Sequence, residues 1–427
     1  MKCLFYGGRV VDPSQDLNEP VDILTDSGVV AWIGRGDPCS MDGVRSVNLT
    51  GKIVMPGLID PHVHFREPGQ EHKETIETGC HAAAAGGFTS VVAMANTSPT
   101  VESVETLRLV LFKGRKTPIR FRSVASVTKG LQGLELTPME ELAQAGAAGF
   151  SDDGLSVVNP ALMLEALERA ASLGLPVSVH CEDPSLWGDR SVNRGDVSRS
   201  LGLRGVPAVA EELMIQRDIC LAETAGVPVH IQHVSSARGV GLIAQAKERG
   251  VLVSAEATPH HLTLTDESVL SFGTQAKMSP PLRTSEDVEC LRKALRDGVI
   301  DVVATDHAPH SADEKAQGLG DAPNGVVGLE TAVPVILTDL VHSGVLSLSD
   351  MVRAMSCAPA RIFGIEGGTL RPGSPADLTV IDLDRRWTLD AGLFKSKGRN
   401  TPFHGKPVQG AVAMTVVGGH VVYRSDR

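Results

Sequence analysis

The sequence is poor in aromatic residues and lacks several features that mark particular classes of protein. Aromatic side chains make up 4% of its 427 residues, too few for the base-stacking platforms of proteins that bind single-stranded nucleic acid. The net charge of −11 also argues against a general nucleic-acid surface. No apolar run approaches the roughly 18 residues of a membrane span, and the N-terminus lacks the apolar segment of a signal peptide. We therefore expect neither a nucleic acid nor a membrane as partner.

The seven cysteines form neither a disulfide framework nor a zinc-binding pattern. Their number is odd, they are scattered along the chain, and no Cys-x-x-Cys occurs. In a large chain this usage is typical of reduced thiols in a cytosolic protein. We therefore predict a cytoplasmic location and interpret the cysteines, Cys39 among them, as mostly small core residues.

Between residues 53 and 310, apolar runs rich in β-branched residues alternate with Ala- and Leu-rich helical patterns. Strands that alternate with helices predict parallel βα units. Eight such units predict an α/β fold of the (β/α)8 TIM-barrel type. Capping residues, prolines and closing glycines predict helices over 159–174, 207–226 and 284–298. The eight apolar runs are 53–64, 90–95, 120–126, 147–151, 176–180, 228–233, 252–255 and 301–304.

Both ends of the chain have the pattern of short strands and turns. Chain termini often lie close together, so we expect these strands to pair into one small β-sandwich domain. This gives residues 1–55 and 366–427 to the sandwich and 56–365 to the barrel. The polar, Gly-rich segment 311–325 follows the last barrel strand, and its pattern fits a disordered surface loop and a mobile substrate lid equally well.

Histidines and aspartates recur where the predicted strands end, which is the edge at which barrels build their active sites. His62 and His64 are two residues apart, so on a strand their imidazoles face the same side. Imidazole and carboxylate without cysteine suit zinc, with manganese, cobalt or iron as alternatives. The pattern alone does not choose between the adjacent Asp152 and Asp153. The other strand-end candidates are His180, His233 and Asp306.

Four histidines and two carboxylates exceed the needs of one tetrahedral zinc ion. Two ions about 3.5–4 Å apart, sharing a carboxylate and a water, would use all six side chains. Such a pair activates the water and polarises a carbonyl, which is the chemistry of amide hydrolysis. The sequence therefore predicts a metal-dependent amide hydrolase.

Several motifs together resemble a known family. They are PGLIDPHVH at 56–64, HFREPG at 64–69, MANTSP at 94–99, FSDDG at 150–154, ATPHHL at 257–262 and ATDHAPH at 304–310, with 367–383 in the closing strands. This combination resembles the class I bacterial dihydroorotases, which are cyclic amidohydrolases of the amidohydrolase superfamily. The resemblance covers nearly the whole chain.

The resemblance implies reversible, zinc-dependent interconversion of L-dihydroorotate and N-carbamoyl-L-aspartate, a step of de novo pyrimidine (UMP) biosynthesis. It implies two zinc ions, bridged by Asp153 and a hydroxide that attacks the ring amide carbon, with Asp306 as the catalytic proton carrier. The ligands of the first ion would be His62, His64, Asp153 and Asp306, and those of the second Asp153, His180 and His233. The substrate-binding residues would be Arg66, Asn96, Ser279, His310, Asn324 and Gly325.

Two residues depart from the usual pattern of this family. Ser279 stands where asparagine is usual, so its reach to the substrate ring is shorter. Asn324 stands where phenylalanine is usual, so ring packing or lid closure would differ. We expect His230, His260 and His261 to be structural, and His307 to pack against or orient Asp306.

Two other functions remain open alternatives. An allantoinase or hydantoinase is disfavoured because the bridging motif offers no lysine that could be carboxylated. A non-catalytic homologue that scaffolds aspartate carbamoyltransferase would have lost metal ligands, whereas this chain keeps all six. We expect a homodimer, and an active enzyme could also associate with that transferase.

Overall fold

The computed structural model of the protein describes residues 2–36 and 44–425. Strands and helices alternate through the middle of these residues, and strands lie at both ends, so the expected α/β class is confirmed. Cys39 lies outside the described residues. The other six cysteines are free thiols; Cys3, Cys80 and Cys181 are buried, and Cys220 is exposed.

The strands of the described ranges form four sheets. Their orders are β5-β4-β1-β6, β10-β9-β8, β11-β12-β13-β14 and β17-β16-β15-β7-β2-β3. The strands are β1 Cys3–Tyr6, β2 Arg9–Asp12, β3 Leu17–Pro20, β4 Asp22–Asp26, β5 Val29–Gly34, β6 Arg45–Asn48, β7 Ile53–Pro56, β8 Leu58–Val63, β9 Phe88–Ala93, β10 Arg120–Ser123, β11 Ser178–Val179, β12 Val229–Ile231, β13 Val253–Ala257, β14 Val302–Val303, β15 Leu378–Thr388, β16 Pro407–Val417 and β17 His420–Arg424.

The parallel strands of the middle region follow one another in chain order. β8, β9 and β10 pair in parallel, and so do β11, β12, β13 and β14. Isolated parallel bridges join the two sheets, because Phe150 pairs with both Ala125 and Val177. A further parallel bridge joins His307, just after β14, to Val63 at the end of β8. The pairings therefore return from the last parallel strand to the first.

Strands from the two chain ends share one sheet and one core. β7 pairs antiparallel with β15 and parallel with β2. A separate sheet contains β1, β4, β5 and β6. Apolar side chains from both sheets form a single cluster, which includes Phe5, Ile23, Val54, Val380 and Val416.

The helices begin and end at the capping residues that the sequence indicates. Asn159 Oδ1 accepts hydrogen bonds from the N–H groups of Ala161 and Leu162, and Pro160 occupies the first helical position. Gly298 ends another helix with a left-handed backbone, φ 79°. The helices are α1 Ile76–Ala85, α2 Val104–Gly114, α3 Met139–Ala145, α4 Pro160–Ser172, α5 Asp196–Ser200, α6 Val209–Ala225, α7 Ala237–Glu248, α8 Pro259–Thr263, α9 Ser268–Phe272, α10 Ser285–Asp297, α11 Ala312–Lys315, α12 Ala332–Ile336, α13 Leu348–Val352 and α14 Ala358–Ile362.

Two expectations about local structure were wrong. The run 53–64 is two strands in different sheets, β7 and β8, separated by Gly57. A Cβ at Gly57 would lie 2.2 Å from Oγ1 of Thr89, so the close approach there requires glycine. In the part of the chain that the structure describes, the run 147–151 contains no strand, and Phe150 forms isolated bridges with Ala125 and Val177. The segment 311–325, for which a disordered loop and a substrate lid were both open, contains α11, whose Ser311 and Glu314 form a capping box.

Candidate metal centre and active site

The histidines and carboxylates predicted from the sequence converge at the carboxyl ends of the parallel strands. His62 lies in β8, and His180 and His233 follow β11 and β12. The side chains of His62, His64, Asp153, His180, His233 and Asp306 are all buried. Because the carboxyl ends of parallel strands meet at one edge, residues far apart in sequence lie side by side there.

A first group of side chains contains His62, His64, Asp153 and Asp306. Nε2 of His62 lies 3.4 Å from Oδ2 of Asp153, and Nε2 of His64 lies 3.3 Å from the same oxygen. Oδ1 of Asp306 lies 2.9 Å from Nε2 of His64 and 3.6 Å from Nε2 of His62. Two imidazole nitrogens thus face two carboxylates.

A second group contains His180 and His233 and shares Asp153 with the first. Oδ1 of Asp153 lies 3.3 Å from Nδ1 of His180 and 3.1 Å from Nε2 of His233. The two imidazole nitrogens are 2.9 Å apart. Asp153 therefore presents one carboxylate oxygen to each group.

These donors fit metal ions. The ligand atoms of His62, His64 and Asp153 all lie within 4.8 Å of one another, and so do those of Asp153, His180 and His233. Nε2 of His62 is buried, and no hydrogen-bond partner for it lies in the described part of the chain. A buried polar atom without a partner is costly unless something binds it. Each group could hold one ion of a metal that prefers nitrogen and oxygen ligands.

Burial and mutual attraction shift the pKa values of these side chains. Burial tends to raise the pKa of Asp153, but the contacts with His62, His180 and His233 hold that pKa well below its usual range. Burial tends to lower the pKa of His180, but Asp153 and Glu182 raise it to about 9. The imidazole of His180 thus holds its proton readily, and a metal ion that binds at this nitrogen must displace that proton.

The outer nitrogens of two of these histidines, His62 and His180, contact glutamates for which the sequence pattern predicted no orienting role. Nδ1 of His62 lies 2.5 Å from Oε1 of Glu256. Nε2 of His180 lies 3.1 Å from Oε2 of Glu182. Such contacts fix the ring orientation and the tautomer of a metal-binding histidine. Glu182 and Glu256 both follow predicted strands in the sequence. Their position at strand ends was the signal that could have indicated this role.

The structure distinguishes the two adjacent aspartates. Asp152 Oδ1 accepts hydrogen bonds from the N–H groups of Val127, 2.7 Å, and Thr128, 3.0 Å. The hydroxyl of Thr128 also donates to Asp152. Asp153 faces the histidines instead, so its neighbour serves to hold the loop after residue 126.

The metal centre opens into a cavity of about 480 Å³. His64, Asp153, His180 and Asp306 form part of its wall. All six residues predicted to bind the substrate line this cavity; they are Arg66, Asn96, Ser279, His310, Asn324 and Gly325. The structure therefore brings the expected ion ligands and the expected substrate contacts to one place.

Several of these lining residues contact one another. Arg66 Nε donates to the carbonyl oxygen of Pro309, 3.2 Å, and Nη2 of Arg66 lies 3.3 Å from Nε2 of His310. Nε2 of His310 also lies 2.8 Å from the carbonyl oxygen of Asn324. The cation of Arg66 is thus held at the side of the cavity formed by the residues after β14.

Asn96 and Ser279 contact residues of the metal centre. Oδ1 of Asn96 lies 2.9 Å from Nδ1 of His64. The hydroxyl of Ser279 donates a hydrogen bond to Oε2 of Glu182, the oxygen that also contacts His180. Ser279 is thus linked to the imidazole of His180 through one carboxylate.

The histidines outside the two groups have other contacts. Nε2 of His230 lies 3.1 Å from Glu256, and Nε2 of His261 lies 2.9 Å from the carbonyl oxygen of Pro280. His307 contacts Glu74 and accepts hydrogen bonds from the N–H groups of residues 328 and 329. None of these contacts of the His307 side chain is with Asp306.

Three residues of the site have a backbone conformation that L-amino acids rarely adopt. The φ angles are 60° at Arg66, 32° at His233 and 47° at Asp306. Each such residue costs on the order of 1–3 kcal/mol and persists only where its surroundings hold it firmly. Conformations of this kind cluster at active sites, which agrees with the position of the three residues.

Among the residues that the structure describes, no helix is both long and apolar enough to span a lipid bilayer.

Comparison with known proteins identifies the family. The model of the Amidohydrolase family matches residues 53–422. The chain is 48% identical over 425 residues to a dihydroorotase of Pelobacter propionicus, covering 99% of this chain and 100% of the relative. It is 46% identical over 427 residues to a dihydroorotase of Syntrophus aciditrophicus, covering 100% of both.

Solved structures agree with this result. The L-hydantoinase (dihydropyrimidinase) of Arthrobacter aurescens superposes with a TM-score of 0.90 at 30% identity, covering 100% of this chain and 96% of that one. The dihydropyrimidinase of Brevibacillus agri gives 0.87 at 26% identity, with the same coverage. The chain belongs to the amidohydrolase family, and it is a cyclic amide hydrolase.

Proposed function

We propose that this member of the amidohydrolase family interconverts N-carbamoyl-L-aspartate and L-dihydroorotate in de novo pyrimidine biosynthesis. The observation that carries the proposal is 46–48% identity to dihydroorotases over the full length of the chain. The carboxylate shared by the two groups of histidines is an unmodified aspartate, Asp153, in agreement with the class I pattern. A pathway of this kind also supports a cytoplasmic location.

We propose two zinc ions as cofactors, held by the side chains that converge on Asp153. When bound, such ions lower the pKa of a water molecule and polarise a carbonyl group. His62, His64, Asp153 and Asp306 would hold one ion, and Asp153, His180 and His233 the other. Nitrogen and oxygen donors without sulfur suit zinc, and Mn²⁺ or Co²⁺ would also be accommodated.

Asp306 is the proposed proton carrier. Its carboxylate lines the cavity and lies beside His64, so it is close to where a water would attack the ring amide carbon. In hydrolysis it would accept a proton from that water and donate it to the leaving ring nitrogen. In the reverse direction the same carboxyl group would carry the proton from nitrogen to the departing oxygen.

Arg66 is the proposed binding group for the substrate carboxylate, together with Asn96 and His310. A guanidinium group offers two parallel N–H donors that match the two oxygens of a carboxylate. Its contacts with the residues after β14 hold it at the cavity wall. Because the substrate is then held at one end, the scissile amide is positioned relative to Asp306.

The segment 311–325 is the proposed substrate lid. Nζ of Lys315 donates to the carbonyl oxygens of Pro323 and Gly325, both at 3.0 Å. Nζ of Lys277 donates to the carbonyl oxygen of Ala322 at 2.5 Å. The two lysines thus brace the backbone around Asn324 and Gly325, the residues proposed to contact the ring.

The parallel strands pair in chain order, and a bridge after the last strand leads back to the first. We interpret this order as a (β/α)8 barrel formed by residues 56–365. The two sheets built from 1–55 and 366–427 would form one β-sandwich, since their apolar side chains share a core. A homodimer is proposed, and an association with aspartate carbamoyltransferase is compatible with an active enzyme.

The proposed reaction is tested with purified, zinc-loaded protein. It should cyclise N-carbamoyl-L-aspartate at mildly acidic pH, and Asp306→Asn should reduce the rate by about 10⁴-fold without changing the circular dichroism spectrum. Hydrolysis of allantoin or hydantoins in place of dihydroorotate would contradict the proposal and favour the activity named for the structural neighbours.

A further inference from the structure

Arg190 brings a second guanidinium group, besides that of Arg66, to the wall of the cavity. Its guanidinium carbon lies 3.6 Å from the ring centroid of Trp187, a distance at which the cation stacks on the indole face. Nη2 of Arg190 donates a hydrogen bond to the carbonyl oxygen of Gly154, 3.1 Å. The side chain is therefore held in place beside the residue that follows Asp153.

The guanidinium group of Arg190 is not fully satisfied by the protein. Its Nε atom is buried, and no hydrogen-bond partner for Nε lies within 2–36 and 44–425. Burial lowers the pKa of the Arg190 guanidinium, and the charges of Glu182 and Asp153 act to raise it. Oε2 of Glu182 contacts His180 and Ser279, Oε1 of Glu182 has no hydrogen-bond partner in the described ranges, and Asp153 contacts the histidines. A donor without a protein partner can donate a hydrogen bond to a ligand oxygen.

Arg66 and Arg190 approach the cavity from different sides. Arg66 follows β8 and contacts Pro309 and His310, which lie after β14. Arg190 instead donates a hydrogen bond to Gly154, in the segment that follows Phe150. The parallel pairings run from β8 through β9 and β10 to Phe150. From Phe150 they continue through β11, β12, β13 and β14 and return to β8. Two guanidinium groups at different parts of one cavity wall suit a ligand that carries two anionic groups.

We propose that Arg190 is a substrate-binding cation that favours the open-chain dicarboxylate over the ring monocarboxylate. This inference rests on the proposed function. N-carbamoyl-L-aspartate carries two carboxylates, whereas in L-dihydroorotate one of them has become a neutral ring amide. Arg66 pairs with the carboxylate common to both molecules, and Arg190 attracts the carboxylate that only the open chain has.

Binding of two unreactive ligands to the zinc-loaded protein tests the inference by calorimetry. N-acetyl-L-aspartate is an open-chain dicarboxylate that cannot close to the dihydroorotate ring, and orotate is a ring monocarboxylate. Arg190→Gln should raise the Kd of N-acetyl-L-aspartate about tenfold and that of orotate less than threefold, because it removes the charge but keeps a donor for Gly154. Arg190→Lys should restore most of the affinity for the dicarboxylate.

Arg194→Gln is the matched control, because Arg194 is an exposed arginine of the same loop and does not line the cavity. It should change neither Kd, and the thermal unfolding midpoints of all variants should agree. Equal weakening of both ligands by Arg190→Gln, or no weakening, would overturn the inference. The proposed function is tested separately with the wild-type protein, and it fails if that protein does not interconvert N-carbamoyl-L-aspartate and L-dihydroorotate.

Discussion

The two groups of side chains around Asp153 differ in the number of donors that each can give to an ion. The first has two histidines and can draw on two carboxylates, because Asp306 lies beside His64. The second has two histidines and only the shared carboxylate. An ion in the second group would therefore depend on Asp153 more than an ion in the first, because Asp153 is one of three protein ligands in the second group and one of four in the first.

The two groups also differ in the support of their histidines. In the first, the outer nitrogens of both His62 and His64 contact a side-chain oxygen, from Glu256 and Asn96. In the second, Glu182 holds His180, but Nδ1 of His233 has no hydrogen-bond partner in the described ranges. Since outer contacts orient a ligand and raise its basicity, the first group is the better built ion site.

The largest effect is expected from Asp153→Asn, which would remove the charge shared by both groups. We expect the protein to lose most of its zinc on dialysis and its rate to fall at least about 10³-fold, on the order of 4 kcal/mol in the barrier. Metal analysis by mass spectrometry measures the loss. Asp152→Asn is the control, because that carboxylate contacts only the loop after residue 126, and its zinc content should be unchanged. Retention of both ions by Asp153→Asn would show that the carboxylate does not bridge.

Removal of a single histidine should have a smaller effect on zinc content, and that effect should differ between the two groups. His180→Ala removes one of three donors from the second group and none from the first, so this variant should keep about one zinc ion per chain. His64→Ala removes a donor from the first group, and the second group should then retain the ion that remains. Titration with a zinc-sensitive dye gives both stoichiometries. Equal loss of both ions from His180→Ala would contradict the independence of the groups.

The smallest effect is expected from the supporting glutamates. Glu256→Gln and Glu182→Gln keep the shape of the side chain and remove its charge, so each should weaken zinc binding about 10–100-fold. We expect the larger change at Glu256, because its carboxylate also contacts His230 and the N–H of His233. Competition with a chelator measures the affinities. A larger loss at Glu182 would reverse the ranking of the two groups.

Much of the architecture follows from local patterns in the sequence. The helix over 160–172 begins at an Asn-Pro pair because Asn159 caps the free N–H groups and Pro160 needs none. The run 53–64 was misinterpreted because its apolar residues continue across Gly57, and only their pairing partners separate the two strands: β7 pairs with β2 and β15, whereas β8 pairs with β9. Register and sheet membership depend on such distant partners and leave no local periodicity.

The sequence by itself determined the chemistry of the centre: four imidazoles and two carboxylates at strand ends, with His62 and His64 on one side because strands repeat every two residues. The tertiary structure decided the assignments. It placed Asp153 rather than Asp152 between the histidines, turned Ser279 toward Glu182, and brought Arg190 to the cavity. Residue type and period are local properties, whereas the partner that a side chain meets is set by packing between segments that the sequence keeps apart.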